Sequence, residues 1–308
     1  MQIPYNHIGI IKAINHLAML GTLRSAMPRS VAPRVVLTNW PFLDHLVGAL
    51  QETVFIYYRV DDYAEMPGVK RSYIRKVEDR LMDKADLIVA TSQGLVPEGR
   101  WRAKGRYLPH GVDFEHFRGG KRGQCGALSQ LPSPRIGFFG LIDDWVDVEL
   151  VEELAAAHPE WQFILAGRCR AQVGSLEVLK NVHVIGQVDY RQLPDVGAEF
   201  DVGVIPFRLN ALTLCVNPLK LLEYFALGLP VVGVRLPEVV NFEDKVLLAD
   251  NADEFARRIE DALGESGEVR RAARQKLASE HSWSRRATEL KSWIADALGE
   301  TKSARRPE

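Results

Sequence analysis

Two charged residues, Lys220 and Glu223, lie three positions apart within the otherwise apolar segment 218–227. A spacing of three places both side chains on the same side of a helix. A lysine in the first turn adds its charge to the free N–H groups and the dipole of the helix start, which together favour a phosphate. Glu223, one turn further on, offers two acceptor oxygens for neighbouring hydroxyl groups such as those of a ribose. The two residues predict a nucleotide site; the alternative is an i,i+3 ion pair on a solvated edge.

The residues around these charges predict a helix over 218–227. Asn217 is a favoured N-cap, Pro218 suits the first helical position, and Gly228 with Pro230 ends the helix. The remaining side chains are apolar on nearly every face, so we expect this helix to be enclosed by protein. Because an enclosed helix has little solvated edge, the nucleotide site is favoured over the surface ion pair.

Composition bounds the class of protein. A chain of 308 residues is long enough for two domains, and 39 basic against 40 acidic residues argue against a general nucleic-acid binder. The three cysteines, Cys125, Cys169 and Cys215, lack metal-ligand spacing, so we interpret them as reduced thiols of a cytoplasmic protein. Neither a disulfide nor a metal site is expected, and the sequence has no apolar run long enough for a membrane span.

Hydrophobic periodicity predicts an α/β fold. In the first part of the chain it predicts helices near 9–23, 42–50 and 69–84, and strands near 34–38, 53–59 and 86–91. In the second part it predicts a last helix near 285–298 and strands near 135–139, 162–166, 182–185, 201–205, 230–234 and 246–248. Strands with crossover helices form a doubly wound sheet, which binds ligands at the carboxyl ends of its strands.

Changes in composition predict the domain boundaries. Residues 1–118 are predicted to form an N-terminal domain on the acceptor side, and the glycine- and proline-rich residues 119–134 a linker. Residues 135–299 are predicted to form the nucleotide-binding domain with C-terminal helices, and residues 300–308 a disordered tail.

The pattern Asn-Pro-x-Lys-x-x-Glu-Tyr-x-Ala-x-Gly-x-Pro-Val-Val over residues 217–232 resembles the donor-binding segment of GT-B-fold glycosyltransferases, in the group with bacterial polysaccharide and teichuronic-acid enzymes. Further segments resemble the same family in order and spacing, over a span of roughly 34–295: residues 85–92, 108–113, 134–140, 161–167, 181–186 and 200–207. The resemblance implies two doubly wound, Rossmann-like domains. It also implies a UDP- or GDP-linked sugar as substrate, a glycan or lipid-linked acceptor, and no separate cofactor.

The chain departs from this family at its N-terminus. The family's opening strand and glycine-rich turn do not precede Asn6, so the resemblance implies a truncated N-terminal domain. A misassigned start, a truncated gene and a reduced, non-catalytic protein all remain open. A sheet without its first strands would expose an edge and an apolar face, which a partner chain could cover.

A second departure is Cys215, which stands where many relatives carry a glutamate eight residues before the ribose-binding one. The branch with Asn-Pro-x-Lys is closer, and there the lysine is expected to neutralise the diphosphate. The resemblance therefore implies a metal-independent reaction.

Asn217, within the segment that resembles the donor-binding segment, is also a candidate for donor binding, and so are four more residues. Gly140 would let the backbone approach a phosphate. Arg168 could reach the base or the diphosphate, although a plain surface arginine is the alternative. Asn210 and Thr213, in the loop before the helix, could bind hydroxyl groups of the donor sugar.

Asp61 is the candidate catalytic base. It follows a predicted strand, and transfer with inversion needs a group that accepts the proton of the acceptor hydroxyl. The alternative is that Asp61 or Asp62 caps a turn, as loop aspartates commonly do.

The sequence thus predicts a glycosyltransferase. A truncated, nucleotide-binding relative that acts as a partner or regulatory subunit is the alternative, and a sugar-nucleotide epimerase a third class that lacks a recognisable acid–base set. We expect a cytoplasmic location. Lys12, Arg24, Arg29 and Arg34 provide only a weak basic patch for peripheral contact with the inner membrane face.

Overall fold

The computed structural model describes residues 9–27, 33–265 and 267–304, and the chain divides into two compact units. Unit 1 comprises Met1–Leu108 with Glu289–Glu308, and unit 2 comprises Pro109–Thr288. Some residues named in the sequence analysis lie outside the described part: Met1–Tyr5, Arg29, the Lys12 side chain and the end of the predicted tail at 305–308.

Unit 1 is built on a four-stranded parallel sheet in the order β1-β2-β3-β4. Its strands are β1 Val35–Thr38, β2 Val54–Arg59, β3 Leu87–Ala90 and β4 Gly105–Tyr107, and its first helices are α1 Gly9–Ala26 and α2 Arg71–Lys84. The first three strands and both helices were predicted. The three-residue β4 was not, because Gly-Arg-Tyr carries no alternating apolar pattern.

The predicted helix at 42–50 is wrong. The structure has a 3-10 turn at Pro41–Leu43 followed by further turns. Gly48 adopts φ +80° and Gln51 φ +55°, both in the left-handed region, which a right-handed helix cannot accommodate. The apolar side chains of this segment are buried all the same: Leu46 and Leu50 belong to the core of unit 1.

Unit 2 is built on a six-stranded parallel sheet in the order β10-β9-β8-β5-β6-β7. Its strands are β5 Arg135–Phe139, β6 Gln162–Ala166, β7 Val182–Gly186, β8 Val202–Ile205, β9 Val231–Val234 and β10 Leu247–Ala249. Its helices are α3 Phe114–Arg118, α4 Val148–Ala157, α5 Leu193–Ala198, α6 Leu219–Leu227, α7 Pro237–Val240, α8 Ala252–Gly264 and α9 Glu268–Glu280, followed by the start of α10 Trp283–Ala304. All six predicted strands are present, and the doubly wound fold is confirmed, with its strand order reversing between β5 and β8.

The predicted linker 119–134 is instead part of unit 2. Leu128 and Leu131 pack against the hydrophobic core of that unit. Gly123 N and Ser129 Oγ both donate hydrogen bonds of 2.7 Å to the buried carboxylate of Glu199. The segment is polar and rich in glycine because it wraps around a buried charge, which composition alone cannot distinguish from a flexible connection.

The last helix is longer than predicted. Helix α10 continues through Ala304, so the first five residues of the predicted tail are helical. Its later turns belong to unit 1, where Leu290, Trp293 and Ile294 pack against β-sheet residues. In the described ranges, no helix is both long and apolar enough to cross a membrane.

Candidate functional site

The point at which the strand order of unit 2 reverses defines the candidate site. Strands β5 and β8 are neighbours there, with Ile136 in register with Val202. In a doubly wound sheet the crevice outside the carboxyl ends of such strands is the usual ligand site. Gly140 follows β5, Gly167 follows β6, and helix α6 begins at Leu219, within the connection from β8 to β9.

Two glycines allow close approach at this edge. Gly140 has φ +140° and Gly167 φ +149°, backbone conformations that side chains oppose. A Cβ atom on Gly140 would overlap Lys220 Cε and lie 2.7 Å from its Nζ, and one on Gly167 would overlap the carbonyl oxygen of Gly140. Gly140 is thus next to Lys220, as a shared phosphate site requires. Gly167 was missed, although its position directly after a buried strand, like that of Gly140, was a usable signal.

Lys220 is held without a carboxylate partner. Its Nζ lies 5.4 Å from the ring centre of Phe138 and 5.7 Å from that of Phe207. Among the described residues, no carboxylate oxygen lies within 4.0 Å of Lys220 Nζ, the greatest distance at which the two would form an ion pair. Burial lowers the pKa of Lys220, and the charge of Glu223 opposes that effect only in part. The predicted alternative, a surface ion pair between the two, is therefore wrong.

Glu223 is buried, with 7% of its surface exposed, and its carboxylate accepts no hydrogen bond from the described residues. Burial raises the pKa of Glu223 to about 7, although the nearby Lys220 charge lowers it. Neither of its oxygens is a fully inaccessible atom without a partner, so the carboxylate can still be reached from outside, although its burial costs free energy. The arrangement thus provides a cation beside the helix start and a carboxylate one turn on, both available to a ligand.

Asn217 does not cap α6 as predicted. The N-cap residue is Pro218, without a side-chain cap, and Asn217 Nδ2 donates to Glu238 Oε2 at 3.1 Å. Glu238 is the second residue of the short helix α7 and is 3% exposed, so the amide of Asn217 satisfies a buried carboxylate and does not cap α6. The consequence is that the first N–H groups of α6 are free of a side-chain cap, which suits an anionic ligand. The end of α6 is as predicted, with Gly228 at φ +80°.

The remaining predicted donor contacts divide into two kinds. Arg168 follows Gly167 directly, is exposed, and has no ion-pair partner among the described side chains. Asn210 is also exposed. Thr213, in contrast, is fully buried, and its hydroxyl donates to Arg208 O at 2.5 Å, so its predicted role in sugar binding is wrong. Thr213 and Asn210 instead hold the loop together, each accepting a hydrogen bond from the backbone N–H of the other.

Asp61, the predicted base, lies in unit 1 just after the carboxyl end of β2. Burial, with a smaller contribution from the charge of Asp62, raises the pKa of Asp61 to about 6. Asp62 caps the turn, which was the alternative considered for the two aspartates. Its carboxylate accepts hydrogen bonds from Ala64 N at 3.2 Å and from Arg75 at 2.6 Å. Asp61 makes no hydrogen bond with the described residues and is left available for proton transfer.

A buried network of hydrogen bonds holds the end of strand β2, which Asp61 follows. Glu78 of α2 accepts from Tyr57 Oη at 2.8 Å and from Arg59 Nε at 2.9 Å. Arg59 also donates to Leu95 O at 2.8 Å. Since every partner is buried and hydrogen-bonded, the network orients the end of β2. In the described ranges, no three His, Cys, Asp or Glu side chains are grouped so that they could hold a metal ion.

Comparison with known proteins agrees with the resemblance. Residues 133–265 match the family described as glycosyl transferases group 1. A Bacillus subtilis (strain 168) protein named as a teichuronic acid biosynthesis glycosyltransferase, TuaH, is 28% identical over 229 residues. That match covers 70% of this chain and 58% of TuaH, so the chain spans little more than half the length of this relative.

Solved structures show the same fold. Anabaena HepE in complex with UDP and glucose matches 96% of this chain and 84% of its own, with a TM-score of 0.72 and 14% identity. Sucrose-phosphate synthase from Thermosynechococcus elongatus matches 93% and 79%, with a TM-score of 0.70 and 17% identity. The E. coli trehalose-6-phosphate structure bound with UDP-2-fluoro glucose matches 94% and 79%, with a TM-score of 0.65 and 14% identity. The predicted GT-B fold and the resemblance to GT-B glycosyltransferases are confirmed.

Proposed function

We propose that this chain, whose second unit carries a glycosyl transferases group 1 domain on a GT-B fold, is a glycosyltransferase. It moves a sugar from a nucleotide-sugar donor to a glycan or lipid-linked acceptor. Metal independence is part of the proposal, with Lys220 and the start of α6 neutralising the leaving diphosphate. UDP is favoured over GDP because HepE and the trehalose-6-phosphate structure were solved with UDP or a UDP-sugar.

The observation that carries the proposal is a partly buried lysine and a buried glutamate that form no direct ion pair, with the lysine beside a glycine at the carboxyl edge of the sheet. Lys220 lies over Gly140, where the backbone can approach a phosphate closely. Glu223 lies one turn further along α6, where its carboxylate oxygens can accept hydrogen bonds from the ribose hydroxyls in the proposed binding mode. A nucleotide sugar would satisfy both charges, which the protein's own residues do not.

The donor site is tested by calorimetric titration of UDP and of GDP into the purified chain and its Lys220→Ala and Glu223→Ala variants. Losing one charge-assisted hydrogen bond costs about 1.5–3 kcal/mol, so each variant should bind about ten- to a hundred-fold more weakly. Matched controls are Lys180→Ala and Glu153→Ala, exposed residues of the same unit, which should bind as the unchanged protein does. If neither nucleotide binds to the folded protein, the proposed function is wrong.

The role of Asp61 is tested by release of UDP from UDP-glucose across a pH series. A general base must be ionised, so the rate should fall as the pH drops below about 6, the raised pKa of Asp61. Asp61→Asn should lower kcat by about a hundred-fold or more and leave UDP affinity unchanged. Asp79→Asn on α2 is the control. An Asp61→Asn variant that keeps both the rate and the pH profile would remove Asp61 from the mechanism.

A non-catalytic nucleotide-binding protein gives a different combination of results. It would bind UDP with the predicted dependence on Lys220 and Glu223, yet release no UDP from UDP-glucose under any condition. Binding and turnover together therefore separate the two functions.

A further inference from the structure

Four aromatic side chains, two of them exposed and two half-buried, lie together on unit 1 near Asp61 in sequence. Trp40, in the loop after β1, is 50% exposed, and Tyr73, on the first turn of α2, is 47% exposed. Phe42 joins them, with its ring centre 5.3 Å from that of Trp40 and 6.1 Å from that of Tyr73. Tyr63 meets Trp40 edge-on at 5.7 Å. We refer to Trp40, Phe42, Tyr63 and Tyr73 as the aromatic platform.

The aromatic platform is continuous with the predicted base. Tyr63 is two residues from Asp61, and the Asp61 charge contributes, after burial, to raising the pKa of Tyr63 to about 12. The ring of Tyr63 in turn contacts Trp40. A molecule whose hydroxyl group reaches Asp61 would therefore meet these rings with the atoms on either side of that hydroxyl.

Resting on the proposed function, we propose that the aromatic platform binds the acceptor, and that it does so by stacking a saccharide ring against Trp40. The C–H groups on one face of a pyranose carry a slight positive charge, and the face of an aromatic ring carries a negative one. The hydroxyl groups at the edge of the same pyranose need acceptors, and the Asp61 carboxylate is one. Rings for the apolar face and a carboxylate for the hydroxyls are the complementary chemistry of a sugar.

The charges around the aromatic platform disfavour an anionic membrane surface as the occupant. Arg71 and Arg75, on the helix that carries Tyr73, are bound by carboxylates: Arg71 lies 2.7 Å from Glu65, and Arg75 lies 2.6 Å from Asp62. Lys70 is the other cation at this end of the helix, and one lysine contributes only about 1 kcal/mol at an anionic surface. A neutral or acidic surface with exposed rings fits a glycan better than a lipid headgroup.

The proposal is tested by fluorine NMR of the full chain labelled with 5-fluorotryptophan, with the Trp40 signal assigned from a Trp40→Phe variant. The probes are methyl glycosides of glucose, galactose, mannose and N-acetylglucosamine at millimolar concentration, and separately vesicles containing phosphatidylglycerol. We expect at least one glycoside to shift the Trp40 signal. The signal of Trp283, another exposed tryptophan at 42% exposure, should stay in place.

Variants at the ring distinguish stacking from a merely structural role. Trp40→Ala should weaken binding of the responding glycoside by about two- to ten-fold, the equivalent of one aromatic contact, whereas Trp40→Tyr should retain most of it. UDP affinity, measured on the same samples, should be unchanged in both variants. A loss of UDP affinity would mean that Trp40 supports the fold, and it would overturn the proposal.

The outcomes separate this inference from the proposed function. If UDP binds but no glycoside shifts Trp40, the aromatic platform is not a saccharide site. If vesicles shift Trp40 and glycosides do not, its occupant is a membrane and the inference is wrong. If a glycoside shifts Trp40 while UDP fails to bind, the saccharide site stands and the nucleotide-sugar function falls.

Discussion

Unit 2 holds a cation and a carboxylate in the protein interior or at its edge near each end of strand β5, and the two sets differ in whether they form an ion pair. At the amino end, Arg135 donates to Glu199 at 2.7 Å, and both side chains are nearly inaccessible. Near the carboxyl end, Lys220 lies against Gly140, and Glu223 follows it one turn along α6 without forming such a pair. The same two types of charge thus form a hydrogen-bonded ion pair at one end and only a weaker interaction through space at the other.

The pKa values record this difference. Burial raises the pKa of Glu199, but hydrogen bonds from Ser129 and two backbone N–H groups, together with the Arg135 charge, outweigh it, so the net shift is downward. The pKa of Glu223 is raised to about 7, because burial dominates there. In a structural ion pair, the partner's charge and the hydrogen bonds stabilise the ionised carboxylate. In a binding site without a ligand, the buried carboxylate has no such partners, so its pKa is raised. The comparison supports the proposed site at the carboxyl end of β5.

The largest expected effect is at the structural pair. Glu199→Ala would leave the Arg135 guanidinium buried without a carboxylate, so the free energy of unfolding should fall by about 3–5 kcal/mol. Urea denaturation measures this change. Lys220→Met, at the other end, removes a partly buried charge that lacks an ion-pair partner, so it should leave stability nearly unchanged. If Lys220→Met destabilises the protein as much as Glu199→Ala does, the two ends do not differ as proposed.

The second prediction concerns the pH dependence of stability that Glu223 produces. Its folded pKa, about 7, is above the ordinary value of 4.5, so the folded state holds the proton more tightly than the unfolded state. Stability from this difference is fully present below pH 4.5 and is lost as the pH rises through 7, by on the order of 3 kcal/mol. Glu223→Gln should remove that loss.

The measurement is the difference between the unfolding free energies of the unchanged protein and Glu223→Gln at pH 5 and at pH 8. Other titrating groups cancel in this difference. Glu153→Gln, at an exposed position on α4, is the control. Its unfolding free energy should differ from that of the unchanged protein by the same amount at both pH values. A Glu223→Gln curve parallel to that of the unchanged protein would show that Glu223 is not held in a desolvated environment.

The sequence predicted the charged residues near the carboxyl end of β5 but not the ion pair at its amino end. Lys220 and Glu223 were recognisable because charges within an apolar helix are unusual, and the glycine after a buried strand marked Gly140. The Arg135–Glu199 pair was not recognisable, because its partners are 64 residues apart and meet only through the sheet order. Residues 119–134 were interpreted as a linker for the same reason. Local patterns predicted the strands, while contacts between separate segments, such as Asn217 with Glu238, depend on the folded structure.

The smallest effect is expected for Gly140→Ala, which tests whether Lys220 needs its position beside Gly140. In Gly140→Ala the new Cβ would overlap the end of the Lys220 side chain, and the backbone would keep a φ that alanine tolerates poorly. Lys220 must move to accommodate the methyl group, so UDP affinity should fall by about ten-fold, together with a stability loss of about 1–2 kcal/mol. Gly123→Ala separates the two effects, because Gly123 also has a positive φ, +86°, but has open space around its Cβ position. It should lose comparable stability and keep full UDP affinity. If Gly140→Ala also keeps full affinity, Lys220 does not need its position over the strand end, and its charge acts on the ligand from another direction.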